Sequence, residues 1–464
     1  MEHPPRFSRN WGRPSGWLVA LLAGSAALRF VGIRYGLPFG NLLNPDEQNI
    51  VPRAWRMVHG GGPDPHWFDY PTLTLYVLAP FQAWQAHPSY LAARIVTVAL
   101  GVGGVGAAFC LGRAAYGQVA GFVAAAVTAV ETTHVAYSRM AVTDVPLTLA
   151  ITVGLVLVVT GRIEWAGLAL GVATAAKYPG IFLAVPIVAV GWRRWRRLAE
   201  AGVLAVAGFL LGSPYVLVHP LQAWHDAARV QRLARAGWLG FEHDSHAAFV
   251  ATLWHGVGPA LVLVCLGLVL ALVRRNRADL ALASFVLVYF ADLLTLNAHF
   301  DRYTLPLVPA LGVLAGRLRS LTPVTLLLLI VPLTWSIREA RTLTHTDARI
   351  VAHDWIEAHL PRGSAIAVDP STPSLEGFRV VALELPGPGR SSDPNRDAAR
   401  LRSQGVEYVV VNGAVADRVL DAGSRYPREL AFYDALRHGD RLVFTAGPGA
   451  PGHPAGPWIA VYHL

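Results

Sequence analysis

Polar side chains in an apolar chain are the first places to look for chemistry, and here they fall in a few short runs. Asn44-Pro45-Asp46-Glu47 and Asp69-Tyr70-Pro71 bracket a polar stretch directly after the first strongly apolar segment. A carboxylate at mid-bilayer costs about 2.5–3.5 kcal/mol on insertion scales, so acids at the mouth of a membrane domain usually persist because they act on something. Asp46 and Glu47 suit a general base or a metal-binding pair; the plainer reading is the acidic first turn of a helix, favoured by its dipole. Asp144, in Ser138-Arg139-Met140-Ala141-Val142-Thr143-Asp144-Val145-Pro146-Leu147, has the same two readings: the cap of a Pro-started helix, or, with Arg139, a grip on substrate. Lys177 is the only lysine in the chain. It can snorkel to the interface, or hold a phosphate as a compact point charge. Asp301-Arg302-Tyr303 closes a turn, and Arg302 can neutralise a lipid phosphate there. Glu242, His243 and His246 resemble a metal cluster loosely, with irregular spacing and no fourth ligand.

The elements that must position these groups are apolar helices. Hydrophobic residues make up 53% of the 464-residue chain and charged residues 15%, with a mean hydropathy of +0.40. Soluble enzymes carry about 25% charged residues, so the composition indicates a multi-pass membrane protein. The net charge of +9 sits in short arginine runs between apolar segments, which writes topology rather than nucleic-acid binding. Cys110 and Cys265, the only cysteines, are expected to be buried packing thiols. Arg6, Arg9 and Arg13 precede an apolar stretch without a clear cleavage site, which predicts an uncleaved first span.

Eleven candidate spans lie at 17–35, 90–112, 118–137, 145–160, 164–176, 179–192, 198–217, 249–273, 279–298, 303–317 and 321–337. The arginine-rich connections alternate so that the N-terminus is cytoplasmic and the tail extracytoplasmic. That parity puts Asp46, Glu47, Asp69, Arg139, Asp144, Lys177, the 218–248 loop and the turn at 299–303 on one outer face, provided that 71–86 lies along the interface rather than crossing. Arg29, Arg34 and Arg94 also fall near this face, where they can line a site. The short spans around Lys177-Tyr178-Pro179-Gly180 resemble the broken helices that line cavities. Residues 1–340 thus form a membrane domain, and 341–464 an outer α/β domain. In the latter, an amphipathic helix is predicted at 347–360, strands at 365–368, 380–385, 406–411, 442–445 and 459–462, helices at 394–404 and 426–437, and a Gly/Pro-rich loop at 447–457. No internal repeat, P-loop, dinucleotide fingerprint or HExxH zinc motif occurs.

In order, Asn44-Pro45-Asp46-Glu47, Asp69-Tyr70-Pro71, Ser138 to Leu147, Gly167-Leu168-Ala169-Leu170-Gly171 through Gly180, and Asp301-Arg302-Tyr303 resemble the lipid-carrier-dependent glycosyltransferases of the GT-C fold. The likeness is to the protein O-mannosyltransferase and aminoarabinose transferase superfamily (family 39-like) and covers about residues 15–340. It implies about eleven transmembrane helices, an outer catalytic loop and a polyprenyl-phosphate-linked sugar donor. The family's first-loop catalytic aspartate falls on Asp46, with Glu47 beside it, and its second acidic position falls on Asp144. Before Pro71, Asp69 keeps the acid that aminoarabinose transferases have, while Tyr70 replaces their lysine. An aminoarabinose donor is therefore not implied, and the tail does not imply protein mannosylation.

The resulting expectation is an inverting glycosyl transfer on the extracytoplasmic face of the cell membrane. Asp46 removes the proton of an acceptor hydroxyl, and Lys177 and Arg302, with Arg139, stabilise the departing phosphate. Asp69, Tyr70 and Asp301 complete the substrate site. A divalent cation is the one candidate cofactor, and the acceptor is a lipid, a glycan or a protein. A transporter or lipid-linked-sugar flippase with an external domain is the rival from another class, and an envelope polymer ligase a third reading.

Overall fold

The computed structural model describes residues 16–449 and 454–464, so Arg6, Arg9, Arg13 and part of the expected 447–457 loop lie outside the described residues. Each of the eleven expected apolar stretches is helical. The first is α1, Gly16–Phe30, which stops before 35 because Gly32 and Gly36 turn the chain with positive φ. The polar stretch holds α2, Glu47–Arg56, and is followed by the short α3, Leu73–Leu78. Next come α4, Tyr90–Tyr116, α5, Gln118–Val130, and the single-turn α6, Thr132–Tyr137, offset from α5 at Glu131, whose carboxylate caps it. Then follow α7, Asp144–Val159, α8, Ile163–Ala176, α9, Ala184–Gly191, and α10, Trp195–Gly212.

Residues 218–248 are not the loop expected from the sequence. Pro220 and Gly237 bracket a 17-residue helix, α11, Pro220–Ala236, with proline in its first turn and a positive-φ glycine as its stop. Back in the apolar region are α12, Ala248–Val257, α13, Leu261–Arg274, α14, Arg277–Leu293, α15, Val308–Gly316, α16, Thr322–Leu328, and α17, Ile330–Thr342.

Among the described residues, three continuous helical stretches are by themselves long and apolar enough to cross a bilayer: Tyr90–Tyr116, Ala248–Arg274 and Arg319–Thr342; the other apolar helices are shorter. What these helices bury is small and close-packed. Gly167 and Gly171 of α8 lie against the carbonyls of Ala201 and Ala205 in α10, where any Cβ would collide with backbone, which is the small-residue packing of membrane helices. What they expose is apolar. Val203, Leu211, Val273 and Leu327 are all more than 60% exposed, a surface that only lipid can solvate, and this is a membrane protein. Cys265 is exposed on α13 and Cys110 half-buried, so the thiols are not the buried pair expected.

The carboxy-terminal region follows the strand and helix expectations closely. Its helix α18, Ala348–His359, is capped by Asp347. The strands are β1, Ala365–Val368, β2, Arg379–Ala382, β3, Tyr408–Asn412, β4, Arg441–Ala446, and β5, Ile459–His463, in the order β2-β1-β3-β5-β4. The first three are parallel, and β5 runs antiparallel between β3 and β4. Helices α19, Ala398–Ser403, and α21, Pro427–Gly439, match expectation, whereas α20, Gly413–Asp421, capped by Asn412, is additional. The sheet sits on the membrane part through specific polar contacts. Arg349 donates to Leu42 O at 2.7 Å, and Tyr426 donates to Glu242 Oε1 at 2.6 Å.

Candidate active site

Helix ends and breaks deliver the charged groups to one place. Asp46 is the N-cap of α2, yet its side chain makes no capping bond; Asn44 Oδ1 accepts from the Asp46 backbone N–H instead. Asp144 is the first residue of α7. Lys177 is in extended conformation at the end of α8, in the expected helix break, where a 3-10 turn over Tyr178–Leu183 leads into α9. Arg302 lies in a second 3-10 turn, Asp301–Leu307, just before α15.

Arg302 bridges the two aspartates, with its NH2 3.3 Å from Asp46 Oδ2 and its Nε 3.9 Å from Asp144 Oδ2. Lys177 Nζ donates to Asp144 Oδ1 at 2.6 Å. The phenol of Tyr70 donates to Asp46 Oδ2 at 3.2 Å. Burial first, and then the Asp46 carboxylate, push the Tyr70 phenol well above its ordinary value, so it remains a neutral donor. Two carboxylates are thus matched by two cations. The pairing leaves Asp144 Oδ2 and Arg302 Nε buried without a hydrogen-bond partner, and such atoms are costly unless something else satisfies them.

This cluster stands where two cavities meet. One, of about 680 Å³, is lined by Asp46, Asp301, Arg302 and the aromatic rings of Trp238, Phe241 and Phe300. The other, of about 390 Å³, is lined by Asp69, Asp144, Lys177, Trp224, Leu293 and Leu296, and lies between α11 and α14. Tyr70 and Tyr303 line both, and Lys177 Nζ sits 5.6 and 5.1 Å from their ring centres. Asp301 accepts from Tyr137 OH at 2.7 Å, and Asp69 is paired with Arg229 of α11.

The remaining expected residues are placed elsewhere. Glu47 is fully buried and held by Arg94, with Nε to Oε1 at 2.9 Å and NH2 to Oε2 at 2.6 Å, and it also accepts from Ala141 N at 2.9 Å. Arg94 in turn reaches the carbonyls of Ile33 and Tyr35. Arg139 is buried against Leu28 O and lines neither cavity. Arg29 is turned into the helix packing, onto Thr128 O, Ala129 O and His134. Neither it nor Arg34 nor Arg94 lines these cavities.

Glu242, His243 and His246 do not converge as a ligand set among the described residues. Glu242 is taken by Tyr426 and the Gly240 backbone and His243 contacts Asp421 O, so these two tie the loop after α11 to the sheet region, while the His246 ring meets that of His299. Sequence reasoning named Tyr303 within a motif but gave it no role, and missed Arg229 and the wall formed by α11. The signal for α11 was present in Pro220, Gly237 and the apolar positions Trp224, Ala227, Val230 and Ala234 between them.

Residues 67–296 match the model of Glycosyltransferase family 87. No curated protein sequence matches the chain. Among solved structures, ArnT from Cupriavidus metallidurans in the apo state superposes with a TM-score of 0.59 at 15% identity, covering 97% of this chain and 98% of that one. The same protein bound to undecaprenyl phosphate gives 0.56 at 15% identity, again over 97% and 98%. The Archaeoglobus fulgidus oligosaccharyltransferase in complex with Zn and sulfate gives 0.56 at 12% identity, over 95% of this chain and 72% of that one. At these identities the shared property is the fold. The GT-C fold implied by the motifs is the fold of this chain, and its central part matches a glycosyltransferase model, of family 87 rather than the 39-like family expected.

Proposed function

We propose that the protein moves a sugar from a polyprenyl-phosphate donor to an acceptor hydroxyl on the extracytoplasmic side of the cell membrane, with inversion at the anomeric carbon. The observation that carries this reading is the Asp46–Arg302–Asp144–Lys177 cluster at the meeting of a more apolar and a more open cavity. The apolar cavity between α11 and α14 suits the prenyl end of the donor, and Lys177 and Arg302 suit its phosphate. The wider, aromatic-lined cavity suits the acceptor, whether lipid, glycan or protein. Undecaprenyl phosphate in the ArnT neighbour supports the donor class.

In the proposed step the acceptor oxygen bonds to the anomeric carbon while the bond from that carbon to the phosphate oxygen breaks. The electron pair leaves on the phosphate, and the acceptor proton passes to Asp46. Tyr70 and Arg302 orient the Asp46 carboxylate. The fixed charges of Arg302 and Lys177 favour the oxygen that gains negative charge, without reorganisation at the moment of reaction. Asp144 acts by holding Lys177.

About eleven spans, a cytoplasmic N-terminus and an outer carboxy-terminal domain complete the proposal, supported by the arginine-rich connections and by the cluster of acids at one set of helix ends. Purified protein incubated with labelled polyprenyl-phosphate sugars should release free polyprenyl phosphate in step with glycosylated acceptor. Movement of intact lipid-linked sugar across vesicles with no such release would favour the flippase reading instead.

A further inference from the structure

Away from both cavities, two imidazoles and a carboxylate converge from segments far apart in the chain. Asp64 and His66 belong to the loop between α2 and α3, and His219 immediately precedes α11. One ligand atom from each lies within 4.8 Å of the other two. His219 Nε2 is 2.7 Å and His66 Nδ1 3.6 Å from Asp64 Oδ2. Nitrogen and oxygen ligands about 2.0–2.1 Å from a tetrahedral zinc ion are about 3.4 Å apart, so both separations are within a small rotamer adjustment of a filled site.

The surroundings hold this geometry. His66 has a left-handed backbone (φ 46°), and its carbonyl accepts from Gln222 of α11 at 2.9 Å. Asp64 Oδ1 accepts from the His66 backbone N–H at 3.0 Å, and Tyr76 OH donates to Pro63 O at 3.0 Å.

We propose that Asp64, His66 and His219 form a binding site for a zinc-class divalent cation that staples the outer loop to the start of α11. Two imidazoles with one carboxylate select zinc and its neighbours over magnesium or calcium, which prefer all-oxygen shells. The fourth position faces outward, where the His66 side chain is 68% exposed, and takes water. The role is positional. None of the three residues lines the cavities, whereas α11, which they anchor, carries Arg229 onto Asp69 and Trp224 into the apolar cavity.

The test needs no transfer reaction and therefore stands or falls apart from the proposed function. Untagged full-length protein in detergent is stripped with chelator and titrated with Zn²⁺, and separately with Co²⁺, whose visible bands report coordination. One equivalent with the absorption of a low-symmetry tetrahedral nitrogen–oxygen site is expected. His66→Gln, on an exposed side chain that leaves folding intact, and His219→Gln should each weaken binding at least about tenfold, and Zn²⁺ should raise the Tm of the wild type but not of H219Q. Absence of stoichiometric binding to the wild type, or equal affinity in folded H66Q and H219Q, would overturn the site.

Discussion

Glu47 gives both carboxylate oxygens to Arg94 and to the Ala141 backbone, with neither side of the ion pair exposed. Asp46, one residue earlier, opens on a cavity, shares Arg302 with a second aspartate and stands beside buried atoms that lack partners. Consecutive residues at a helix start point about 100° apart, which sends one acid into the packing and the other into the void. The lesson is that an acidic pair beside a membrane span is not one functional unit. A fully satisfied buried ion pair fixes geometry, here binding α2, α4 and the turn before α7 together. A charge-balanced but hydrogen-bond-deficient cluster is where a ligand has something to gain.

Exchange of single atoms should separate the two regions. The largest effect on turnover is expected from Asp46→Asn, which keeps shape but removes the base; kcat should fall about 10²–10⁴-fold, with yield and Tm unchanged, in an assay of polyprenyl phosphate release. Glu47→Gln should do the opposite. It leaves Arg94 buried without its counter-charge, costing about 3–5 kcal/mol of stability, visible as a lower Tm in detergent, while protein that remains folded keeps its kcat. A Glu47 variant that is fully stable but inactive would break the comparison. Lys177→Met removes one of the two cations facing the leaving group and should lower kcat about 10²-fold, measured at saturating donor; a change confined to KM would make Lys177 a binding group only. Smallest of all, Tyr70→Phe deletes the hydrogen bond to Asp46, worth about 1 kcal/mol, and should slow turnover about fivefold without altering Tm.

Much of this arrangement was legible because charge is scarce in the chain. Asp46, Asp144, Lys177 and Arg302 stand out against apolar runs, the expected topology puts them on one face, and the structure brings them together. The sheet strands were legible from short runs of β-branched residues between turn signals. The division of labour between Asp46 and Glu47 was not, because it depends on Arg94, whose approach is decided by how α4 packs against α2. Nor was α11 read as a helix, since its mixture of arginines and alanines looks like a polar loop until the bracketing Pro220 and Gly237 are given weight. Asp64, His66 and His219 escaped notice because residues 155 apart in sequence meet only through tertiary packing. Strand order with an inserted β5 likewise depends on pairings that local pattern does not encode.

Tyr70, Val230, Ala234 and Tyr303 belong to both cavities at once, so the two are divided by a single layer of side chains, two of them rings. Occupants of the two chambers would therefore touch the same four side chains. If filling the first chamber tightens or loosens the second by some factor, filling the second must change the first by that same factor, since linkage is reciprocal. Any cooperativity between donor and acceptor would act across that shared wall, and measuring the affinity of each in the presence of the other would read it out.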